Sequence, residues 1–465
     1  MMGHRLDSSL LRSYDIRGIV GETLREADAY AVGQGFGSVL RDDGAQSVCV
    51  GYDGRLSSTA LAAALVEGLQ TCGLRVITIG LVPTPMLYYS VYHLAAGGGV
   101  MVTGSHNPPD HNGFKFMCGR RSFYGEDLQK LGKRIEEDNV RQGQGLVHRE
   151  DVSAPYLDLL QMVVAKEEGM PSVVWDCGNG ASGDVVKRLV ARLAGRHKLI
   201  CCDIDGTFPN HHPDPTVEEN LVMVKDEVVK GGYDLGVAFD GDGDRVGIVD
   251  ERGHTLYADM MLAFLAEDVL ARYPNAVIVS DVKAGQSLST HVRALGGTLR
   301  LVPTGHSIIK TKMADLRAPF GGEMSGHIFF ADDYYGYDDG LYAALRFVRW
   351  FQGQGGKKLS VLRRQLVRSY HSGEVRIDCA DGEQFQIVQG VADGLRSEGI
   401  EFSEVDGVRV SDETGWWLIR GSNTQGVIVA VCEATTEKDF RAKAQDMGQR
   451  LKQGGVDLPP MQPRA

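Results

Sequence analysis

Three apolar runs in this chain end on an aspartate and open into a helical pattern: Ser47-Val48-Cys49-Val50-Gly51-Tyr52-Asp53, Ser172-Val173-Val174-Trp175-Asp176 and Ala276-Val277-Ile278-Val279-Ser280-Asp281. Unbroken apolar runs of this length read as strands buried on both faces, and a helical pattern beside each makes it a β/α unit of a parallel sheet. One grammar used three times predicts three like-built α/β units in series. From Gly373 onward the grammar changes. A strand, a helix over 384–397, strands at 405–411, 416–420 and 427–432 and a last helix over 436–453 predict a smaller α+β domain. A chain of 465 residues is too long for one core. The expected fold is therefore α/β: three similar mixed α/β domains and then an α+β C-terminal domain, divided as 1–150, 151–251, 252–368 and 369–465. The polar segment 139–149, with its Gly and Gln, reads as a connection, and the tail after Gly454 as loose.

Charge narrows the partners. Lys and Arg number 49 against 61 Asp and Glu, a formal charge of −12 with no basic run, which argues against nucleic acid. No stretch reaches the ~20 apolar residues of a membrane span, and the amino terminus lacks the apolar core of a signal peptide. The eight cysteines have no Cys-x-x-Cys spacing and read as small buried hydrophobes in a reducing compartment, so a cytoplasmic protein is expected. Many of the 59 glycines follow strands, where a missing side chain lets backbone N–H groups approach an anion.

Four loops carry chemistry. Thr103-Gly104-Ser105-His106-Asn107-Pro108-Pro109 follows the apolar run Gly99-Val100-Met101-Val102, at the carboxyl end of a strand where parallel sheets place ligands. Ser105 there can act as a nucleophile if a base or a positive field assists it. His106 beside it and Lys115, in what reads as an Asn112-Gly113-Phe114-Lys115 turn, are the candidates. Asp240-Gly241-Asp242-Gly243-Asp244-Arg245 sets three carboxylates one glycine apart, so that their oxygens can face one point and hold a hard divalent cation. A calcium hand would use Glu251, at the twelfth position from Asp240, but it needs glycine where Arg245 stands and helices where the flanks read as strands. Magnesium is preferred. Gly321-Gly322-Glu323-Met324-Ser325-Gly326-His327 offers a carboxylate, a hydroxyl and an imidazole suited to vicinal sugar hydroxyls. Arg420-Gly421-Ser422-Asn423-Thr424 offers a guanidinium and neutral donors, as a phosphate monoester requires. A further stretch, Asp203-Ile204-Asp205-Gly206-Thr207, copies the opening of haloacid-dehalogenase-type phosphatases, but the next acidic motif lies too close for that architecture.

Set side by side in this order, the four loops resemble those of the α-D-phosphohexomutase family, and most those of its bacterial phosphomannomutase/phosphoglucomutase branch, over nearly the whole chain. The resemblance implies domains around a central active-site cleft, an isomerase, and sugar phosphates as substrates, with a monomer expected. It implies that Ser105 carries a phosphoryl group and joins Asp240, Asp242 and Asp244 around Mg2+. Tyr14, Arg17, Lys115, Arg245, Lys283 and His306 match family positions near the reacting group or the sugar, and Arg17, Lys115, His306 or His327 match its proton handlers. The implied reaction shifts phosphate between the 1- and 6-positions of mannose, glucose or both through a hexose 1,6-bisphosphate, with glucose 1,6-bisphosphate as activator. The Glu-Met-Ser form of the sugar loop is similar to mannose/glucose mutases. Gly426 departs from the branch, which often has proline there. A phosphoglucosamine mutase and a phosphoserine-dependent phosphatase are the alternative readings.

Overall fold

Strand Ser47–Tyr52 is buried at every position but its last, as a strand flanked by two others and covered on both faces must be. In the computed structural model, which describes residues 3–164, 169–367, 369–380, 382–422 and 426–463, it pairs in parallel with Arg75–Leu81 and Gly98–Val102. Antiparallel strands His111–Cys118 and then Ile16–Ile19 extend the sheet on the Gly98–Val102 side. Two sequence readings are corrected here. Residues 112–115 form no turn but lie inside strand His111–Cys118, where an apolar-polar alternation interrupted by Gly113 hid a half-polar strand. Segment 139–149 is not all connection either: Val147–Arg149 pairs in parallel with Arg75–Leu81. All three of its residues are exposed, so no apolar pattern betrays it.

The chain forms two compact units, one of Met1–Met261 with Ser325–Ser360, the other of Leu262–Met324 with Val361–Ala465. In the first unit, the core of the opening sheet gathers Phe36, Phe114, Phe116 and Phe123, with the Phe36 and Phe116 rings 4.9 Å apart. Each such ring stabilises the fold by roughly 1.5–3 kcal/mol through burial. Helix Glu126–Glu136 covers it with Leu128, Leu131 and Ile135, spaced for one helical face. A second sheet in the same unit runs Thr255–Leu256, Val246–Asp250, Leu235–Phe239, Val173–Asp176, His197–Ile200. Its strand Leu235–Phe239 is parallel to Val173–Asp176 and antiparallel to Val246–Asp250, and the turn between the latter pair is the triple-aspartate loop. Helix Gly340–Gln352 packs on this unit against helix Ser153–Val163 and strand Val246–Asp250.

In the second unit, strand Val277–Asp281 lies between parallel partners Thr298–Val302 and Phe320–Gly322. An antiparallel sheet of Val408–Asp412, Gly415–Gly421 and Val427–Ala434 follows, covered by helices Glu383–Glu398 and Glu437–Gln453. The tail after Gly454 is not loose as expected. Val456, Leu458 and Met461 pack on this core. No helix among the described residues is long and apolar enough to cross a membrane.

Candidate functional site

The triple-aspartate loop folds as its spacing predicts. Gly243 takes φ +75°, a conformation a side chain resists, and a Cβ on Gly241 would fall 2.4 Å from Ser105 O. One carboxylate oxygen from each of Asp240, Asp242 and Asp244 lies within 4.8 Å of the others, and all three side chains are buried. Asp242 Oδ1 and Asp244 Oδ1 are buried with no hydrogen-bond partner among the described residues. Buried carboxylate oxygens left open in a converging set suit a hard divalent cation. Glu251 is engaged elsewhere, accepting from Ser360 N at 3.1 Å, so the calcium-hand geometry is absent.

Ser105 meets this loop. Its Oγ donates to Asp240 Oδ2 at 3.0 Å and lies 3.2 Å from His106 Nδ1. The residue is 1% exposed and holds φ +49°, in the left-handed region. Burial pulls the His106 pKa well below the ordinary value, and the nearby cations Arg245, Arg17 and Lys115 add to the shift. Its imidazole is therefore neutral at pH 7.

Lys115 spans the triad's far side, donating to Asp242 Oδ2 at 2.7 Å and to Asp244 Oδ2 at 2.5 Å. Burial works against its charge, but the three aspartates outweigh burial and hold its pKa above the usual lysine value. Burial likewise opposes the Asp242 carboxylate, yet Lys115 wins and keeps it ionised. Asp240 goes the other way: burial, then the charges of Asp242 and Asp244, push its pKa well up. Arg17, on strand Ile16–Ile19, donates to Asn107 Oδ1 and to Asp15 Oδ2, each at 2.6 Å. Tyr14 is half-buried in the bend before that strand.

Arg245 and His327 are paired across a β-bridge. Arg245 N donates to Asp240 Oδ1 at 3.1 Å and its Nε to His327 Nε2 at 3.0 Å. His327 Nδ1 lies 3.0 Å from Asp338 Oδ2. Ser325 Oγ is buried with no hydrogen-bond partner among the described residues. Ser105, His106, Arg17, Lys115, the three aspartates, Arg245 and His327 are thus brought together within the first unit.

The second unit carries its own polar cluster. Lys283, just past strand Val277–Asp281, donates to Glu374 Oε1 at 2.7 Å and lies 3.5 Å from Asp281 Oδ2. Burial pushes the Asp281 carboxyl up to about 6, with Lys283 opposing and Glu323 adding to the shift. Glu323 is buried, and His306 is buried at the start of helix His306–Leu316. Arg420, on strand Gly415–Gly421, donates through Nε to Asp406 Oδ2 at 2.9 Å. Ser422 N donates to Val427 O at 2.8 Å. Asn423 and Thr424 lie outside the described residues.

Sequence reasoning missed several partners. Thr84 donates through Oγ1 to Asp242 Oδ2 at 2.5 Å and through N to Asp242 O at 2.8 Å. Its position just past strand Arg75–Leu81, after Pro83, was the available signal. Asp338 carried none, since nothing in its spacing points to His327. The phosphatase-like Asp203 is solvent-exposed, paired with Lys187 at 2.7 Å, while Asp205 accepts from Thr207 in a turn.

The chain is similar to known proteins over nearly its whole length. The phosphoglucomutase/phosphomannomutase alpha/beta/alpha domains I, II and III match residues 8–141, 154–253 and 257–370, and the C-terminal domain matches 374–448. A phosphomannomutase/phosphoglucomutase of Pseudomonas aeruginosa is 40% identical over 455 residues, covering 98% of each chain. A phosphoglucomutase of Neisseria gonorrhoeae is 38% identical over 432 residues, 92% of this chain and 93% of that one. The crystal structure of a phosphoglucomutase/phosphomannomutase family protein from Burkholderia thailandensis superposes with a TM-score of 0.90 at 36% identity, over 98% of this chain and 99% of that one. The chain belongs to the phosphoglucomutase/phosphomannomutase family and is, with it, an isomerase of the phosphohexomutase class.

Proposed function

We propose that this enzyme interconverts the 1- and 6-phosphates of mannose, glucose or both, with Ser105 as the phosphoryl carrier. The observation that carries the reading is the 3.0 Å approach of Ser105 Oγ to an aspartate of a triad with two open buried oxygens. Phosphorylated Ser105 gives its phosphoryl group to the free hydroxyl of a bound hexose monophosphate. The P–Oγ bond breaks, a P–O bond to the sugar forms, and the hydroxyl's proton leaves for a base while Oγ recovers one. The resulting hexose 1,6-bisphosphate turns over and returns its other phosphoryl group to Ser105, which leaves a net shift of position.

Asp240, Asp242 and Asp244 would hold Mg2+, which when bound supplies positive charge to the transferring group. Arg17, Lys115 and Arg245 add fixed positive charge around the same group. Neutral His106, 3.2 Å from Oγ, is placed to exchange the serine proton. His327, Arg17, Lys115 and His306 are the candidates for the sugar hydroxyl's proton. For Glu323, Ser325, His327, Tyr14, Lys283 and His306 we propose sugar binding, and for Arg420, Ser422, Asn423 and Thr424 a grip on the phosphate that is not reacting. Glucose 1,6-bisphosphate would prime the enzyme by phosphorylating Ser105.

A phosphorus NMR time course with mannose 1-phosphate, Mg2+ and a trace of glucose 1,6-bisphosphate tests the reading. A growing 6-phosphate signal is expected, and parallel runs with glucose and glucosamine 1-phosphates read the sugar preference. Inorganic phosphate in place of a 6-phosphate would make the enzyme a hydrolase and overturn the proposal.

A further inference from the structure

Arg55 belongs to none of the four loops, and its side chain has no exposure at all. A buried guanidinium needs its donors met. Here both terminal nitrogens are spent on main-chain carbonyls of one short segment: Nη2 donates to Ser105 O at 2.7 Å and Asn107 O at 2.6 Å. Nη1 donates to Pro108 O at 2.5 Å and His111 O at 2.9 Å. The charge is met by Asp53, whose Oδ2 lies 3.3 Å from Nε. That same oxygen accepts from Thr103 Oγ1 at 2.8 Å and Gly104 N at 3.3 Å, so the ion pair grips the segment from both ends. Gly104 makes the close approach possible, since a Cβ there would sit 2.6 Å from the guanidinium carbon.

Ser105 holds φ +49°, a conformation a serine does not choose unaided, with its carbonyl on Arg55 and its Oγ on Asp240. We propose that Arg55 is a positioning residue that clamps the serine loop from behind and so aims Ser105 Oγ at the aspartate triad. The inference rests on the mutase reading above. Arginine is required because a planar fork presents paired donors on each of two nitrogens, whereas a lysine ammonium offers three donors from one point and cannot span four carbonyls.

The test compares the unaltered full-length enzyme with Arg55→Lys and Arg55→Ala. Three quantities are read: kcat and KM with mannose 1-phosphate, the single-turnover rate of Ser105 phosphorylation by glucose 1,6-bisphosphate, and amide hydrogen exchange over residues 104–111. Arg55→Lys is expected to lower kcat and the single-turnover rate about 100-fold, as a misplacement of about 1 Å does, with KM within about threefold. Exchange over 104–111 should quicken at least about tenfold while strand Ser47–Tyr52 keeps its protection. Added guanidinium ion should restore part of the Arg55→Ala rate. Arg55→Lys turning over within about threefold of the unaltered enzyme would overturn the proposal, as would a loss shared by kcat, KM and protection throughout the domain. If the unaltered enzyme itself converts no hexose phosphate, the proposed function falls, and exchange over 104–111 in Arg55→Lys still decides the clamp.

Discussion

Lys115 and Asp242 form a fully buried ion pair at 2.7 Å, with the lysine 4% and the aspartate 0% exposed. The ammonium thus occupies charge that a divalent cation would otherwise meet alone. Lys115→Met is expected to bind Mg2+ at least about tenfold more tightly, because removing one positive charge a few ångströms away is worth more than 1 kcal/mol in a buried site. Turnover should nevertheless fall by about 100-fold or more, since in the proposed reaction the same charge stabilises the transferring phosphoryl group. Calorimetric titration with Mg2+ alongside steady-state rates checks both halves. Weaker Mg2+ binding in the variant would show that Lys115 organises the triad more than it competes with the metal.

Ser105→Ala removes the proposed carrier while leaving a side chain that fits the same space. We expect unchanged circular dichroism and melting, and turnover lower by about a thousandfold or more, as when a nucleophile is deleted. Incubation with labelled glucose 1,6-bisphosphate should leave no label on the variant. Stable labelling at another residue would move the carrier role away from Ser105.

Arg420 is oriented by Asp406, and a guanidinium so fixed can bind a phosphate through two parallel hydrogen bonds. Arg420→Lys keeps the charge and loses the fork. The expected result is a KM for hexose phosphate raised about tenfold, with kcat changed less than KM. Initial rates over a range of sugar-phosphate concentrations separate the two.

Asp339 gives a prediction in pH. It caps helix Gly340–Gln352 by accepting from Tyr342 N at 2.9 Å, and Tyr156 and Tyr334 donate to its other oxygen at 2.8 Å and 2.6 Å. Burial raises its pKa from 3.8 to about 6 despite those bonds. A raised carboxyl pKa means that the folded state holds the proton longer than the unfolded one. This group's contribution is therefore full below about pH 4 and is lost as pH rises through about 6, up to about 3 kcal/mol in all. Asp339→Asn, which still caps a helix, should flatten that slope. Denaturant unfolding of both proteins at pH 4.5 and 7.5 reads it, and parallel pH dependences would show that Asp339 does not titrate in this range.

What could be read in the sequence is what lies close together along it. Asp240, Asp242 and Asp244 reach one point because single glycines separate them, so spacing alone encodes the geometry. Ser105 was legible as a serine past a buried strand. The strand that carries Lys115 reads as a turn in the sequence, because Asn112 and Gly113 look like turn residues until Ile16–Ile19 pairs with them. Arg55 and Asp338 carry no signal in the sequence, and Thr84 only its place after Pro83, just past strand Arg75–Leu81. Thr84 and Arg55 make their contacts through a chain that folds back on itself: Thr84 meets Asp242 across 158 positions and Arg55 meets Ser105 across 50. Asp338 touches His327 through a local pairing that no periodicity announces.

The first compact unit is discontinuous, closing only with residues 325–360. On the ribosome, the strands that present Ser105 and the triple-aspartate loop emerge long before helix Gly340–Gln352, whose buried face includes Leu341, Leu345, Phe347 and Val348. Until that helix arrives, helix Ser153–Val163 and strand Val246–Asp250 lack the surface that covers them. His327 and Asp338 are missing from the site for the same interval. A nascent or prematurely ended chain therefore holds Ser105, the aspartates, Lys115 and Arg245 without the His327–Asp338 pair, and with an apolar face still uncovered.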